Sequence, residues 1–92
     1  VSNHPSKVLK ITNLRGLHAR ASAKFVQCAE GYDAQVTVSK DGHVVGGTSI
    51  MGLMMLAASK GSQIHLFATG RQAAEVLEAL SELIGSKFGE DE

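Results

Sequence analysis

Tryptophan is absent from the 92-residue chain, and one Tyr and three Phe are its only aromatic residues. Any core must therefore be aliphatic and rich in alanine. A single cysteine, Cys28, excludes an internal disulfide and fits a reducing compartment, so the expected home is the cytoplasm. There is no charge of one sign in excess. Nine Lys and Arg balance nine Asp and Glu, which speaks against nucleic acid as a partner, because phosphate-backbone affinity draws on a basic surplus. Long apolar runs are missing too: the charge-free stretch from His43 to Ser59 is interrupted by Gly46, Gly47 and Gly52 and by several hydroxyls, so no membrane span is expected. The four His and Cys28 stand far apart in sequence, which gives no metal-ligand spacing, and no cofactor motif replaces it.

What remains is the composition of one folded domain, 43% hydrophobic and 20% charged. Residues 1–6 read as a disordered lead, 7–88 as the domain and 89–92 as an acidic tail. Lys7 to Asn13 alternates as a strand with Leu9 and Ile11 inward, and Asn13 to Gly16 turns. From Ala19 to Glu30, Ala21, Phe25, Cys28 and Ala29 mark one helical face, with Gly31 as the stop. Two strands around Val36 and Val44 form a hairpin on Asp41-Gly42. Ser49 is a good N-cap for a second helix running to about Ser59 and closed by Gly61, with Gly52 as a weak point. Gln63 to Thr69 alternates again, and Ala73, Val76, Leu77, Leu80, Leu83 and Ile84 recur at three and four, a third helix ended by Gly85. Half-apolar strands need cover on one face only. The expected fold is therefore α+β: a two-layer open-faced sandwich of four antiparallel strands with three helices on one face, in the order β-α-β-β-α-β-α.

Chemistry points to Gly16-Leu17-His18-Ala19-Arg20, where an imidazole opens the first helix with an arginine two residues on. The first N–H groups of a helix lack intrahelical partners and the macrodipole is positive there, so an anion on the imidazole meets ready donors. Imidazole is also a nucleophile near neutrality, able to take a phosphoryl group while its other nitrogen is held. Spacing alone favours an ordinary polar residue at a loop-to-helix junction, with Arg20 a solvated side chain of the first turn. The second helix is apolar nearly all round. With Leu53, Leu56 and Ala57 facing the core, Ile50, Met51, Met54 and Met55 form a soft exposed patch suited to docking. Cys28 reads as a small buried side chain, His43 and His65 as exposed strand positions, and Glu75, Glu78 and Glu82 as a solvated face.

These residues together resemble the HPr family, histidine-containing phosphocarriers of the phosphoenolpyruvate-dependent phosphotransferase system. The resemblance runs from Lys7 to about Phe88 and rests on Gly16–Arg20, Ser49-Ile50-Met51-Gly52-Leu53-Met54 and Ala58-Ser59-Lys60-Gly61. It implies that His18 is phosphorylated on Nδ1 by enzyme I and passes the group to an enzyme II A component, with Arg20 beside the phosphate. It implies further that Ser49 corresponds to the serine modified by HPr kinase/phosphorylase in some members, and that Ala19, Ala23, Ile50, Met51 and Met54 belong to the docking surface. Such a protein is a monomer and a substrate of other enzymes, with no turnover of its own. The Leu53–Leu56 run, the Ala68–Gln72 segment and the Phe88–Glu92 ending look more like the nitrogen-related NPr branch, which implies partnership with an enzyme I paralogue and a regulatory output. One departure is plain: Ala21 follows Arg20 where the family usually has proline. The reading of another class is a small regulatory module that holds a free anion at the same helix end.

Net neutrality conceals a polar chain. Residues 1–29 hold five basic side chains and no acid, whereas residues 75–92 hold six acids and one lysine.

Overall fold

The computed structural model describes residues 5–90. The elements are β1 (Ser6–Lys10), α1 (Ala19–Glu30), β2 (Gln35–Lys40), β3 (His43–Gly46), α2 (Ile50–Met55), β4 (Gln63–Thr69) and α3 (Ala73–Gly85), followed by a 3-10 turn at Lys87–Gly89. The strands make one antiparallel sheet ordered β1-β4-β2-β3. This is the α+β open-faced sandwich that the alternation predicts.

Register follows from burial. Val38 pairs with Leu66, Val36 with Ala68 and Leu9 with Ile64, so the inward residues stand side by side. A slip of one residue would turn all of them outward. The core they form with Ala21, Phe25, Val76, Leu77 and Leu80 is aliphatic, with Phe25 and Phe88 as its two buried rings. On the other face a row runs from Val8 through His65 and Ser39 to Val44, with Val8 and Val44 exposed. His65 is half-buried rather than exposed, because its ring stacks on Phe67 with centroids 4.0 Å apart.

Several boundaries differ from the sequence reading. β1 begins at Ser6, inside the expected lead, and ends at Lys10; Ile11 instead exchanges backbone hydrogen bonds with the Gly61-Ser62 turn, both 2.8 Å. Of that lead, residues 1–4 lie outside the described residues. α2 stops at Met55 and not near Ser59, since Ala57 takes a left-handed conformation with φ 53°. That turn leaves Ala57 exposed and buries Ala58 in its place. Gly61 consequently shapes the entry to β4 and does not close the helix. Gly85 is the last residue of α3, and Ser86 caps it. Gly52, a weakness by propensity, sits in a tight place: a Cβ there would lie 3.0 Å from Ser49 Oγ and 3.1 Å from Val45 Cβ, so both neighbours would have to shift by a few tenths of an ångström. Cys28 packs against the core without being fully buried, and burial raises its thiol above the ordinary 9.0.

The expected acidic tail is structured as far as it is described. Lys87 and Phe88 both adopt left-handed backbone, φ 59° and 57°, and this reversal drives Phe88 fully into the core. The chain then runs back toward the start of α1. Asp91 and Glu92 lie outside the described residues.

Candidate functional site

The loop between β1 and α1 is pinned before it reaches the helix. Gly16, at φ 64°, sits so close to the Ala58-Ser59 backbone that a Cβ would fall 2.3 Å from the Ala58 carbonyl oxygen. The Leu17 N–H donates to that same carbonyl at 2.9 Å, and the Leu17 side chain is buried. His18 is thereby delivered to the N-cap position with extended backbone (φ −74°, ψ 179°), and its carbonyl accepts the Ser22 N–H at 2.8 Å. Ser22, fully buried, donates its hydroxyl to the Leu17 carbonyl and braces the junction from inside.

The imidazole makes no capping hydrogen bond, and the first turn of α1 contains no acid. The N–H groups of Ala19, Arg20 and Ala21 therefore have no side-chain partner among the described residues. Three such donors at the positive end of a twelve-residue helix are an arrangement that can receive an anion beside His18. Ala21 matters here because proline in its place would remove one of the three. Arg20 is exposed and makes no hydrogen bond or ion pair among the described residues, so its guanidinium does not contact the imidazole through either.

The imidazole is instead held by a residue that sequence reasoning missed. Its Nε2 bonds to Glu90 Oε2 in the returning tail. Glu90 Oε1 accepts from Asn13 Nδ2 at 3.1 Å, and the same amide donates to the Gly16 carbonyl at 2.9 Å. Asn13 is fully buried, which fixes its direction, although its Oδ1 has no partner among the described residues. The hydrogen bond to His18 holds the Glu90 carboxyl below its ordinary 4.5, helped by the Asn13 bond and by the charges of His18 and Arg15; partial burial opposes the shift. Lys24, six residues beyond His18 on α1, donates its ammonium to the Phe88 carbonyl at 2.6 Å. The charge asymmetry between the two ends of the chain was the available clue to this closure. No local pattern named the partners.

The predicted docking residues are largely exposed. Ile50, Met51, Met54 and Met55 are 42%, 69%, 41% and 77% exposed, while Leu53 and Leu56 of the same segment are buried. Ala19 is exposed and Ala23 half-buried on α1, which packs on α2. Ser49 caps α2: its hydroxyl accepts the Gly52 N–H at 2.9 Å while the residue remains exposed.

Residues 5–86 match the family model described as the PTS HPr component phosphorylation site. The phosphocarrier protein HPr of Neisseria meningitidis is 51% identical over 84 residues, 91% of this chain and 94% of that protein. The phosphocarrier protein NPr of Escherichia coli is 40% identical over 86 residues, 92% of this chain and 96% of that protein. Among solved structures, an HPr from Thermoanaerobacter tengcongensis superposes with a TM-score of 0.91 at 43% identity, covering 96% of this chain and 99% of the other.

Proposed function

Because the chain belongs to the HPr family of phosphotransferase-system phosphocarriers, we propose that the phosphoryl group it carries rests on His18. The protein transfers a phosphoryl group between enzymes of that system and is not itself a catalyst with turnover. The observation that carries the assignment is the placement of His18 at the N-cap of α1, before three N–H groups without side-chain partners.

The chemistry asks little of so small a site. An imidazole nitrogen attacks phosphorus, the bond from phosphorus to the donor breaks, and the donor, phospho-enzyme I or its nitrogen-related paralogue, recovers its electron pair. Transfer to an enzyme II A component repeats the step with His18 as leaving group. Phosphoryl transfer depends on positioning and charge stabilisation, so the carrier supplies nucleophile and anion seat while the docked partner supplies the remainder. Arg20, exposed on the first turn, supplies a guanidinium that swings to the phosphoryl oxygens once they arrive.

Ala19, Ala23, Ile50, Met51, Met54 and Met55 form the docking patch, and their thioethers adapt to more than one partner. Phosphorylation of Ser49 by HPr kinase/phosphorylase would place a dianion beside this patch and weaken docking. The site of action is the cytoplasm and the working form a monomer. No helix among the described residues is long and apolar enough to cross a membrane. The tail and the Leu53–Leu56 run support a nitrogen-related regulatory output, whereas identity is higher to the Neisseria HPr than to the E. coli NPr.

The test is incubation with enzyme I and labelled phosphoenolpyruvate. One acid-labile, alkali-stable phosphate is expected, and none on His18→Ala. Full labelling of that variant sinks the assignment; a non-covalent anion module would take up no covalent label at all.

A further inference from the structure

We propose that Glu90 is a positioning residue for His18: its carboxylate, steadied by Asn13, accepts a hydrogen bond from the imidazole Nε2–H and so leaves Nδ1 as the nitrogen with the free electron pair. The proposal rests on His18 being the phosphoryl acceptor.

The contact differs from the other ion pairs among the described residues in that both partners are covered. The side chains of Lys7–Glu78 are 36% and 69% exposed, those of Lys40–Asp41 18% and 79%, and those of Arg71–Asp33 82% and 67%, whereas those of His18 and Glu90 are 17% and 20% exposed. Exposed pairs contribute little and reorient freely, while a covered pair keeps its geometry. Both oxygens of Glu90 are engaged, one by His18 and one by Asn13. An ionised carboxylate only accepts, so the ring nitrogen facing it must carry the proton. Ionisation is secured because the surroundings hold this carboxyl below its ordinary range. With the proton on Nε2, the neutral ring has its lone pair on Nδ1.

The platform beneath Glu90 is fixed to the core and to α1 by burial and hydrogen bonds. Phe88 is fully buried two residues earlier, and its carbonyl is gripped by Lys24. The Gly89 N–H donates to Ser86 and the Glu90 N–H to Lys87, each at 3.0 Å. Among the described residues, the charged groups on the elements that meet at the ring are the Glu90 carboxylate on Nε2, Arg15 acting on that carboxylate, Arg20 exposed on the first turn, and Lys24 occupied with Phe88.

The arrangement also answers the charge change of the reaction. When Nδ1 bonds phosphorus and Nε2 keeps its proton, the ring becomes formally cationic as the bond from phosphorus to the donor breaks. A carboxylate already in place at Nε2 meets that charge without reorganising, as the carboxylate of a catalytic triad does for its histidine.

The test uses the full chain with Glu90→Ala, and a second variant, Asp91→Asn with Glu92→Gln, which removes the neighbouring carboxylates. One measurement is the imidazole Nε2–H resonance of 15N-labelled protein, at a pH about two units above the ordinary imidazole value of ~6.5. The other is single-turnover phosphoryl transfer from phospho-enzyme I with the phosphate mapped to its residue. A protected Nε2–H is expected in the parent protein and in the double variant. Its loss is expected in Glu90→Ala, together with transfer slowed on the order of 10-fold and unchanged circular dichroism. A persistent Nε2–H or an unchanged transfer rate in Glu90→Ala overturns the proposal, as does loss of the resonance in the double variant. Labelling of His18→Ala would instead overturn the acceptor assignment on its own.

Discussion

The Lys24 ammonium donates to the Phe88 carbonyl at 2.6 Å across 64 positions of sequence. This hydrogen bond joins the first helix to the turn that precedes Glu90.

Lys24→Met keeps the length and the apolar stem of the side chain but removes the donor. The buried part of the Phe88 carbonyl then loses a charge-assisted partner, a local cost of about 1–2 kcal/mol. Hydrogen exchange at Gly89 and Glu90 should accelerate roughly tenfold for each ~1.4 kcal/mol lost, while exchange in the sheet stays as it was. Equal acceleration throughout the molecule would mean that Lys24 supports the whole fold and not the tail.

The closure of the tail on His18 should open in acid. Glu90 has a folded value below its ordinary 4.5, so its contribution to stability is complete above 4.5 and is lost as pH falls through the lower, folded value. A carboxyl 13C titration of Glu90 followed alongside tail amide exchange should show both changing together below 4.5. A Glu90 midpoint at or above 4.5 contradicts the hydrogen-bonded geometry.

Gly16→Ala tests the pin that delivers His18. The added Cβ would lie 2.3 Å from the Ala58 carbonyl oxygen and would also occupy left-handed backbone. The combined strain and displacement should cost at least ~2 kcal/mol in urea unfolding and should misplace the imidazole. Wild-type stability together with wild-type phosphoryl transfer would show that the loop has slack here.

Met51→Glu tests the docking patch. Met51 is 69% exposed, so the substitution leaves the core intact and stability should move by no more than ~0.5 kcal/mol. Buried at an interface, the new carboxylate is costly, and phosphoryl transfer should slow at least ~10-fold at low carrier concentration. An unchanged rate places the contact elsewhere on the surface.

Much of the fold was legible because its code is local. Val36 and Val38, then Ile64, Leu66 and Ala68, alternate at the period of a strand, and Ala73 through Ile84 recur at that of a helix. Asp41-Gly42 supplied the two left-handed residues that a tight hairpin needs, φ 52° and 85°. His18 was legible for the same reason, since the residues beside it mark a helix start. The end of α2 was not, because it turns on Ala57, an exposed residue with no preference for left-handed backbone, between the buried Leu56 and Ala58. His65 was misplaced because its neighbour in space, Phe67, lies two positions along the same strand, where alternation alone does not reveal stacking.

The sequence by itself determined the order of elements, the aliphatic core and the position of an imidazole at the start of the first helix. It also showed that opposite charges gather at the two ends of the chain. Only the tertiary structure decided what those ends do. Whether Glu90 trails in water or rests on His18 depends on the reversal at Lys87-Phe88, on a core cavity that takes the Phe88 ring, and on donors from Asn13 and Lys24 that are far away in sequence. Each of these is a long-range contact, formed only when the sheet and helices have already brought the partners within hydrogen-bonding distance.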